Sequence, residues 1–249
     1  ALFPSRAFQE AFQRLVYTAE HRRVLLLTGD TGAGKSTLLR ALAHHLSPTA
    51  YRVLYLADVA FTVRSFYAAL LEALQHEVPF HLVKAKTLAR RALLDFPSTH
   101  RLTPVLLLDE AQSLSPALLE EVRGLCNYDF DAYSPFALVL AGTRELARRL
   151  SLQSAEALLQ RIDLRFHLGG LSQEETAQYI RHHLQQAGAR GEIFTPEAMR
   201  RIHQACGGLP RRVNKLATLS LMAAASARVH VIDDGLVDRV ITHELQLPA

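Results

Sequence analysis

The sequence is poor in cysteine. Its two cysteines, Cys126 and Cys206, stand far apart and without the spacing of metal ligands. A disulfide framework and a cysteine-based metal site are therefore excluded. This usage is typical of a reducing compartment, and we expect a cytoplasmic protein.

Long hydrophobic runs are also missing. The apolar runs are as short as VLLL at Val24–Leu27 and again at Val105–Leu108, whereas a membrane-spanning helix needs about 20 residues. The first residues, ALFPSRAF, lack the basic-then-apolar order of a signal peptide. We expect no membrane partner.

Neither sign of charge dominates. The 28 Lys and Arg exceed the 24 Asp and Glu only slightly, giving a net charge of +4 and a pI near 9.3. This balance allows a polyanionic partner without requiring one. Apolar residues make up 49% of the 249 positions, which is enough for a large core.

Short apolar runs alternate with amphipathic stretches in the first two thirds of the chain. The runs predict buried parallel strands at residues 24–28, 52–57, 105–109 and 137–142, with a fifth at 162–168. Apolar spacings of three and four predict helices at residues 36–46, 63–75, 84–94 and 116–126. We predict an α/β fold with a central parallel sheet.

The last third carries only helix signals. Typical helix starts occur at Ser172, at Thr195 followed by Pro196, and at the aspartate pair 233–234. We therefore predict an α/β domain over residues 1–168 and a small all-helical domain over residues 169–249.

A glycine-rich stretch follows the first predicted strand. GDTGAGKS fits the pattern G-x-x-x-x-G-K-[ST] between a strand and a helix. Glycines let amide groups converge on phosphates, and the next helix presents its positive end. The alternative is a glycine-rich turn that matches by chance. The predicted nucleotide-binding residues are Gly29, Asp30, Thr31, Gly32, Ala33, Gly34, Lys35, Ser36 and Thr37.

Within that loop, Lys35 is expected to reach the outer phosphates and the Ser36 hydroxyl to ligate Mg²⁺. A second motif, which is acidic, is formed by the end of the predicted strand VLLLDE. Its residues are Asp109 and Glu110. Carboxylates at this edge of an α/β sheet lie where ligands bind. Asp109 suits the metal and Glu110 suits a base that activates water. The alternative for Glu110 is an acidic helix cap.

The next strand, ALVLAG, is followed by Thr143. Its hydroxyl is expected to bond the attacking water or the terminal phosphate. The alternative is a plain cap for the helix that begins at Arg144.

Together these motifs resemble those of the AAA+ ATPases, with GDTGAGKS and LLLDE, GT after the next strand, QRIDLRF at the domain end and GGLPRRVN in a helical lid. Within AAA+, the chain is similar to the family shared by the secretion protein ExeA and transposition regulators of the TnsC type. The segments that carry this similarity are LLLDEAQSLSPALLEEVRGLCNYD, QRIDLRFHLGGLSQEETAQYI and IFTPEAMRRIHQACGGLPRRVN. The resemblance implies ATP and Mg²⁺ as cofactors.

The resemblance also implies a homo-oligomer, either a ring or a helical filament, in which an arginine completes the neighbour's site. Arg161 falls where the family keeps such a residue, and Arg165 is the competing position; a surface salt bridge is the alternative role. A planar, permanently charged guanidinium suits phosphate oxygens. Arg211 matches the lid arginine that senses the terminal phosphate, with Arg212 beside it and a solvated helix start as the alternative.

Two cellular roles are compatible with this ATPase. The first is a DNA-binding regulator of transposition that assembles on double-stranded DNA and recruits a transposase and target-selection proteins. Hydrolysis would then release or remodel the assembly. The second is a secretion-system ATPase that assists assembly of envelope machinery. The end of the chain after the lid, the basic balance and the stretch at residues 126–146 favour the first role.

A basic stretch marks the expected DNA contact. HLVKAKTLARRALLDF contains Lys84, Lys86, Arg90 and Arg91, and Arg64 lies on the preceding helix. Such cations would bind DNA phosphates with little sequence preference. The alternative is a solvated helix face.

Overall fold

Five buried apolar segments form one parallel sheet. The computed structural model of the protein describes residues 2–58, 61–127, 134–152 and 156–244. Its strands are β1 (Val24–Gly29), β2 (Tyr51–Leu56), β3 (Thr103–Leu108), β4 (Ala137–Gly142) and β5 (Leu164–Leu168). They pair in the order β2-β3-β4-β1-β5. The carboxyl ends of β3, β4 and β1 therefore lie side by side at one edge.

Seven helices accompany the sheet within the described ranges. They are α1 (Arg6–Glu20), α2 (Lys35–His45), α3 (Val63–Ala73), α4 (Leu82–His100), α5 (Pro116–Leu125), α6 (Arg144–Leu150) and α7 (Glu156–Leu159). Side-chain caps fix the starts of some of these helices. Thr62 and Ser65 form a capping box on α3, and Ser115 caps α5 ahead of Pro116.

The chain divides into two compact units. One unit, called here the α/β unit, comprises Glu10–Gly29 and Lys35–Leu168. Its core joins the sheet to α3, α4 and α5 through fully buried side chains such as Phe66, Leu106 and Leu140. Both faces of β1 and β4 are buried, as expected for a parallel sheet covered by helices.

The other unit, called here the helical unit, runs from Gly169 and includes the first nine residues and Asp30–Gly34. Its helices are α8 (Gln173–Gln186), α9 (Pro196–Cys206), α10 (Pro210–Ala227) and α11 (Asp234–Glu244). Ser172 and Thr195 cap α8 and α9 through their side chains, which confirms two predicted helix starts.

The α/β class with a helical region after it is confirmed, and several element bounds differ. Helices α1 and α7 were not predicted, and α4 runs through Pro97 beyond the predicted end. Strand β5 begins at Leu164, and just before it the Asp163 carboxylate accepts the Val24 N–H at 2.8 Å. Residues 128–133, part of the stretch that favoured transposition, lie outside the described ranges. No helix of the described part of the chain has the length and apolar character to cross a membrane.

Candidate nucleotide-binding site

The glycine-rich loop joins β1 to α2. Gly32 and Gly34 have φ values of +86° and +107°, a region that favours residues without a side chain. Lys35 is 6% exposed, and its Nζ donates to the Gly29 carbonyl oxygen at 2.8 Å. Ser36 is exposed and Thr37 half-buried at the start of α2. The N–H groups of a helix's first turn lack intrahelical partners, so they can bind anions.

Within the helical unit, the tip of this loop contacts Arg211. The Arg211 N–H donates to the Gly32 carbonyl oxygen at 3.2 Å. A Cβ added to Gly32 would stand 2.7 Å from the Arg211 Cβ. The neighbouring Arg212 is exposed and acts electrostatically on the Cys206 thiol, whose pKa burial raises to about 11. Of the two predicted lid arginines, Arg211 therefore lies against the loop.

The acidic pair at the end of β3 has two distinct environments. Asp109 is 3% exposed, and its Oδ1 accepts the Glu110 N–H at 2.9 Å. Its Oδ2 accepts the Tyr55 hydroxyl at 3.1 Å. Burial, followed by the nearby Asp109 charge, raises the pKa of Tyr55 to about 12. The phenol is thus a neutral donor at physiological pH, and it orients a carboxylate of the kind that holds Mg²⁺.

Glu110 follows in a left-handed conformation, with φ of 51° and ψ of 33°. This backbone is uncommon for a residue with a side chain. Glu110 stands before the short 3₁₀ turn Ala111–Ser113 without capping it through its side chain. Its Oε2 instead accepts the Gln112 Nε2–H at 2.6 Å. The Glu110 carboxylate therefore does not act as a helix cap.

Thr143 lies at the carboxyl end of β4, beside β3 and β1. It precedes α6, and its side chain makes no cap hydrogen bond to that helix. Its N–H donates to Gln112 Oε1 at 3.0 Å. Strand order and register therefore bring Gly29, Thr143 and Asp109 to one edge of the α/β unit.

Comparison with known proteins identifies this arrangement. The AAA domain family matches residues 18–150, from the end of α1 to the end of α6. The chain belongs to the AAA domain family. Membership implies nucleotide binding and ATPase activity, and it accounts for the phosphate loop and the acidic end of β3.

Similarity to a curated protein extends beyond the AAA domain and covers nearly the whole chain. It is 34% identical over 242 residues to the General secretion pathway protein A of Aeromonas hydrophila, covering 94% of this chain and 43% of that protein. The chain thus spans less than half the length of this curated relative.

Solved structures share the fold. The Aeropyrum pernix ORC2 protein has a TM-score of 0.68 at 16% identity, with 98% of this chain and 72% of that chain covered. The Thermotoga maritima RuvB Holliday junction branch migration motor has a TM-score of 0.65 at 18% identity, with 96% and 69% covered. The Drosophila ORC bound to DNA also has a TM-score of 0.65, at 19% identity, with 96% and 61% covered.

The predicted trans-acting arginine of the AAA domain lies at the opposite end of the sheet, beyond the start of β1. Arg161 is half-buried, and its Nη1 donates to the Cys126 carbonyl oxygen at 3.4 Å. It lines a cavity of about 760 Å³ together with Arg22, Arg23 and Arg123, and with the acidic Glu20 and Asp163. Arg165 lies on β5, is exposed and donates to the Leu159 carbonyl oxygen at 3.4 Å. The structure therefore puts Arg161 in a basic cavity.

The basic residues expected to bind DNA lie on α3 and α4. Lys84 is exposed, whereas Lys86 forms an ion pair with Glu121 and lies over the Tyr67 ring. Arg90 is exposed along α4. Arg64 donates to the Phe80 carbonyl oxygen. Lys86 and Arg64 thus have partners within the chain, and Arg90 acts electrostatically on Glu121.

Sequence reasoning missed two residues of this site. Tyr55 reaches Asp109 from β2, and Gln112 joins Glu110 to Thr143. The signal for Gln112 was its position two residues after Glu110 in LLLDEAQ. For Tyr55 the signal was a polar aromatic near the carboxyl end of the strand YRVLYL.

Proposed function

We propose that the chain is a Mg²⁺-dependent ATPase whose active site lies at the carboxyl edge of the sheet. The observation that carries this proposal is the buried Asp109, followed by Glu110, at the same edge as Gly29 and Lys35. A buried carboxylate is costly unless it is bonded or binds a cation. Asp109 accepts two hydrogen bonds and retains lone pairs that suit a metal or its water ligands.

The residues divide the chemistry among themselves. The loop amides from Gly29 to Ser36 hold the phosphates, and Lys35 neutralises the outer ones. Ser36 and Asp109 would hold Mg²⁺, which would offset the negative charge of the phosphate oxygens. Glu110 orients and deprotonates the attacking water. Thr143 bonds that water or the terminal phosphate.

We assign the arginines to regulation between and within subunits. The Arg161 cavity receives the nucleotide of a neighbouring copy, so that ATP bridges subunits in a homo-oligomer. Arg211 senses whether the terminal phosphate is present and couples the helical unit to that difference. The contact between Arg211 and Gly32 supports this assignment.

The cellular role that we propose is that of a motor module in a secretion pathway, acting where ATP is found, on the cytoplasmic side. Similarity to the General secretion pathway protein A supports this role over transposition. The point at which the chain ends does not separate the two roles, because the chain spans 43% of that relative.

Binding to duplex DNA and recruitment of a transposase stay predictions. The exposed cations of α4 support these predictions. The similarity of this chain to ORC and RuvB shows a shared fold only, because the identities are below 20%.

The ATPase proposal is tested by steady-state hydrolysis with Lys35→Ala and Glu110→Gln. Lys35→Ala should bind ATP at least about 100-fold more weakly than the unmodified chain. Glu110→Gln should bind ATP, hydrolyse it at least about 100-fold more slowly and accumulate as an ATP-bound oligomer in analytical ultracentrifugation. Turnover by Glu110→Gln at the unmodified rate would reject the base.

The cellular role is tested with a chimera in which this chain replaces the matching segment of the Aeromonas protein. We expect secretion to be restored by the chimera and not by its Lys35→Ala version. Failure of the chimera together with ATP-dependent binding of duplex DNA at physiological salt would instead support transposition. Exposed Lys84→Ala is the variant for that DNA-binding assay, since it leaves the Lys86 ion pair intact.

A further inference from the structure

One side-chain amide spans the space between the predicted base and the neighbouring strand end. The Gln112 Nε2–H donates to Glu110 Oε2 at 2.6 Å. The oxygen of the same amide accepts the Thr143 N–H at 3.0 Å. The nitrogen of the Gln112 amide therefore faces Glu110 after β3, and its oxygen faces Thr143 after β4.

The surroundings leave room for this amide and for little else. A Cβ at Gly142, the last residue of β4, would stand 2.7 Å from Gln112 Oε1 and 2.8 Å from a Leu146 methyl carbon. The absence of a side chain at Gly142 thus makes space for the bridge. On the other side, the left-handed backbone of Glu110 aims its carboxylate at Gln112.

The backbone of Gln112 is held as firmly as its side chain. Arg149, half-buried on α6, donates from Nη1 to the Gln112 carbonyl oxygen and from Nη2 to the Leu114 carbonyl oxygen. Thr143 stands immediately before the same helix. Helix α6 therefore meets the 3₁₀ turn at two points, through the N–H before its first residue and through Arg149 near its end.

A hydrogen bond from a neutral amide fixes a carboxylate without neutralising it, because an amide cannot protonate it. It also removes rotamers that would turn the base away from water, and misplacement of a catalytic group by about 1 Å can cost 100-fold in rate. Supporting groups of this kind position the residues that do the chemistry.

We propose that Gln112 is a positioning residue that aims the Glu110 carboxylate and couples it to the end of β4 that carries Thr143. The inference rests on the proposed role of Glu110 as the base. Gln112 itself touches neither phosphate nor water in this role. Its effect is exerted entirely through Glu110.

The test compares ATP hydrolysis by Gln112→Leu and Gln112→Glu with that of the unmodified chain. Leu removes both halves of the bridge. Glu keeps an oxygen for the Thr143 N–H and replaces the donor that faces Glu110. We expect both to lower kcat by about 10- to 100-fold while KM for ATP changes less than about threefold. Gln178→Leu, an exposed glutamine on α8, is the matched control and should keep the unmodified kcat.

A double-mutant cycle with Glu110→Gln separates this inference from the proposed function. If Gln112 acts through Glu110, Gln112→Leu should slow the Glu110→Gln variant no further. The inference would be overturned if the kcat losses of the two single variants multiplied in the double variant. It would also be overturned by an unmodified or raised kcat in Gln112→Glu, or by a change confined to a rise in KM. Unmodified turnover by Glu110→Gln alone would instead overturn the base itself. Thermal unfolding of each variant identifies any loss of fold, and Gln112→Glu, similar in shape, covers the case in which Leu unfolds the chain.

Discussion

The Arg211 side chain fills the space in which a Cβ on Gly32 would lie. The two Cβ positions would be 2.7 Å apart, and the Arg211 N–H donates to the Gly32 carbonyl oxygen at 3.2 Å. Gly32 also has a φ of +86°. Two independent physical reasons, backbone conformation and close approach, therefore require glycine at the tip of the phosphate loop.

Gly32→Ala should separate these reasons from each other when it is compared with Gly188→Ala. Gly188 has a φ of +84° and open space where its Cβ would be, so it carries the backbone cost alone. We expect Gly188→Ala to lose about 1 to 2 kcal/mol of unfolding free energy, and Gly32→Ala to lose more because its Cβ would also meet the Arg211 Cβ at 2.7 Å. Only Gly32→Ala should also weaken ATP binding, by about tenfold or more, as measured by calorimetry. Equal ATP affinity in the two variants would contradict the fitted contact.

Tyr55→Phe removes the hydroxyl that orients Asp109 at 3.1 Å. Loss of such an outer partner typically costs about 10- to 100-fold in metal affinity. We expect the Mg²⁺ concentration for half-maximal hydrolysis to rise by about tenfold. Tyr51→Phe, at the other end of β2, is the matched control. If the two variants have the same Mg²⁺ dependence, Tyr55 does not support a metal ligand.

Lys86→Ala tests whether this lysine serves the fold. Burial alone would raise the pKa of Glu121, but hydrogen bonds from Lys86 and Tyr67 outweigh it and hold the pKa below the ordinary value of 4.5. The stabilisation from a lowered carboxyl pKa is present above that ordinary value and is lost as pH falls through the folded-state value. We expect a loss of about 1 kcal/mol at neutral pH that shrinks below about pH 4. Urea unfolding at both pH values measures it.

Lys84→Ala, an exposed position on the same helix, is the control for that experiment and should leave unfolding unchanged at both pH values. A Lys86→Ala loss of the same size in acid as at neutral pH would show that packing on Tyr67, and not the ion pair, is what the lysine provides.

Mixing inactive variants tests whether Arg161 acts on a neighbouring subunit. Lys35→Ala retains Arg161, and Arg161→Ala retains the phosphate loop. If subunits mix at random, about a quarter of sites pair an intact loop with an intact arginine. We expect an equimolar mixture to recover about that fraction of the unmodified rate. A mixture as inactive as its components would indicate that Arg161 does not act in trans, and Arg165→Ala would then be mixed in the same way.

Predictability from sequence differed between kinds of element. Buried strands such as β1 and β4 were predicted nearly to the residue because their apolar runs are continuous and their ends carry glycine. Helices with a side-chain cap, such as those after Ser172 and Thr195, were predicted at their starts. Helix α1 was not predicted, although Ser5 accepts the Phe8 N–H at its start.

The candidate site divides in the same way. Motif residues such as Lys35 and Asp109 could be proposed from the sequence because each belongs to a short motif with a known chemistry. Gln112 and Tyr55 act through contacts formed only when separate strands meet at the sheet edge, which spacing does not encode. Lys86 shows the opposite case, a basic residue in a basic stretch whose partner, Glu121, comes from a different helix.

The most direct measurement is isothermal calorimetry of ATP with Mg²⁺ against the unmodified chain and Lys35→Ala. The account predicts saturable binding of one ATP per chain, and affinity at least about 100-fold weaker in Lys35→Ala. Binding of equal strength in both, or no heat with the unmodified chain, would contradict an ATP site built on this loop.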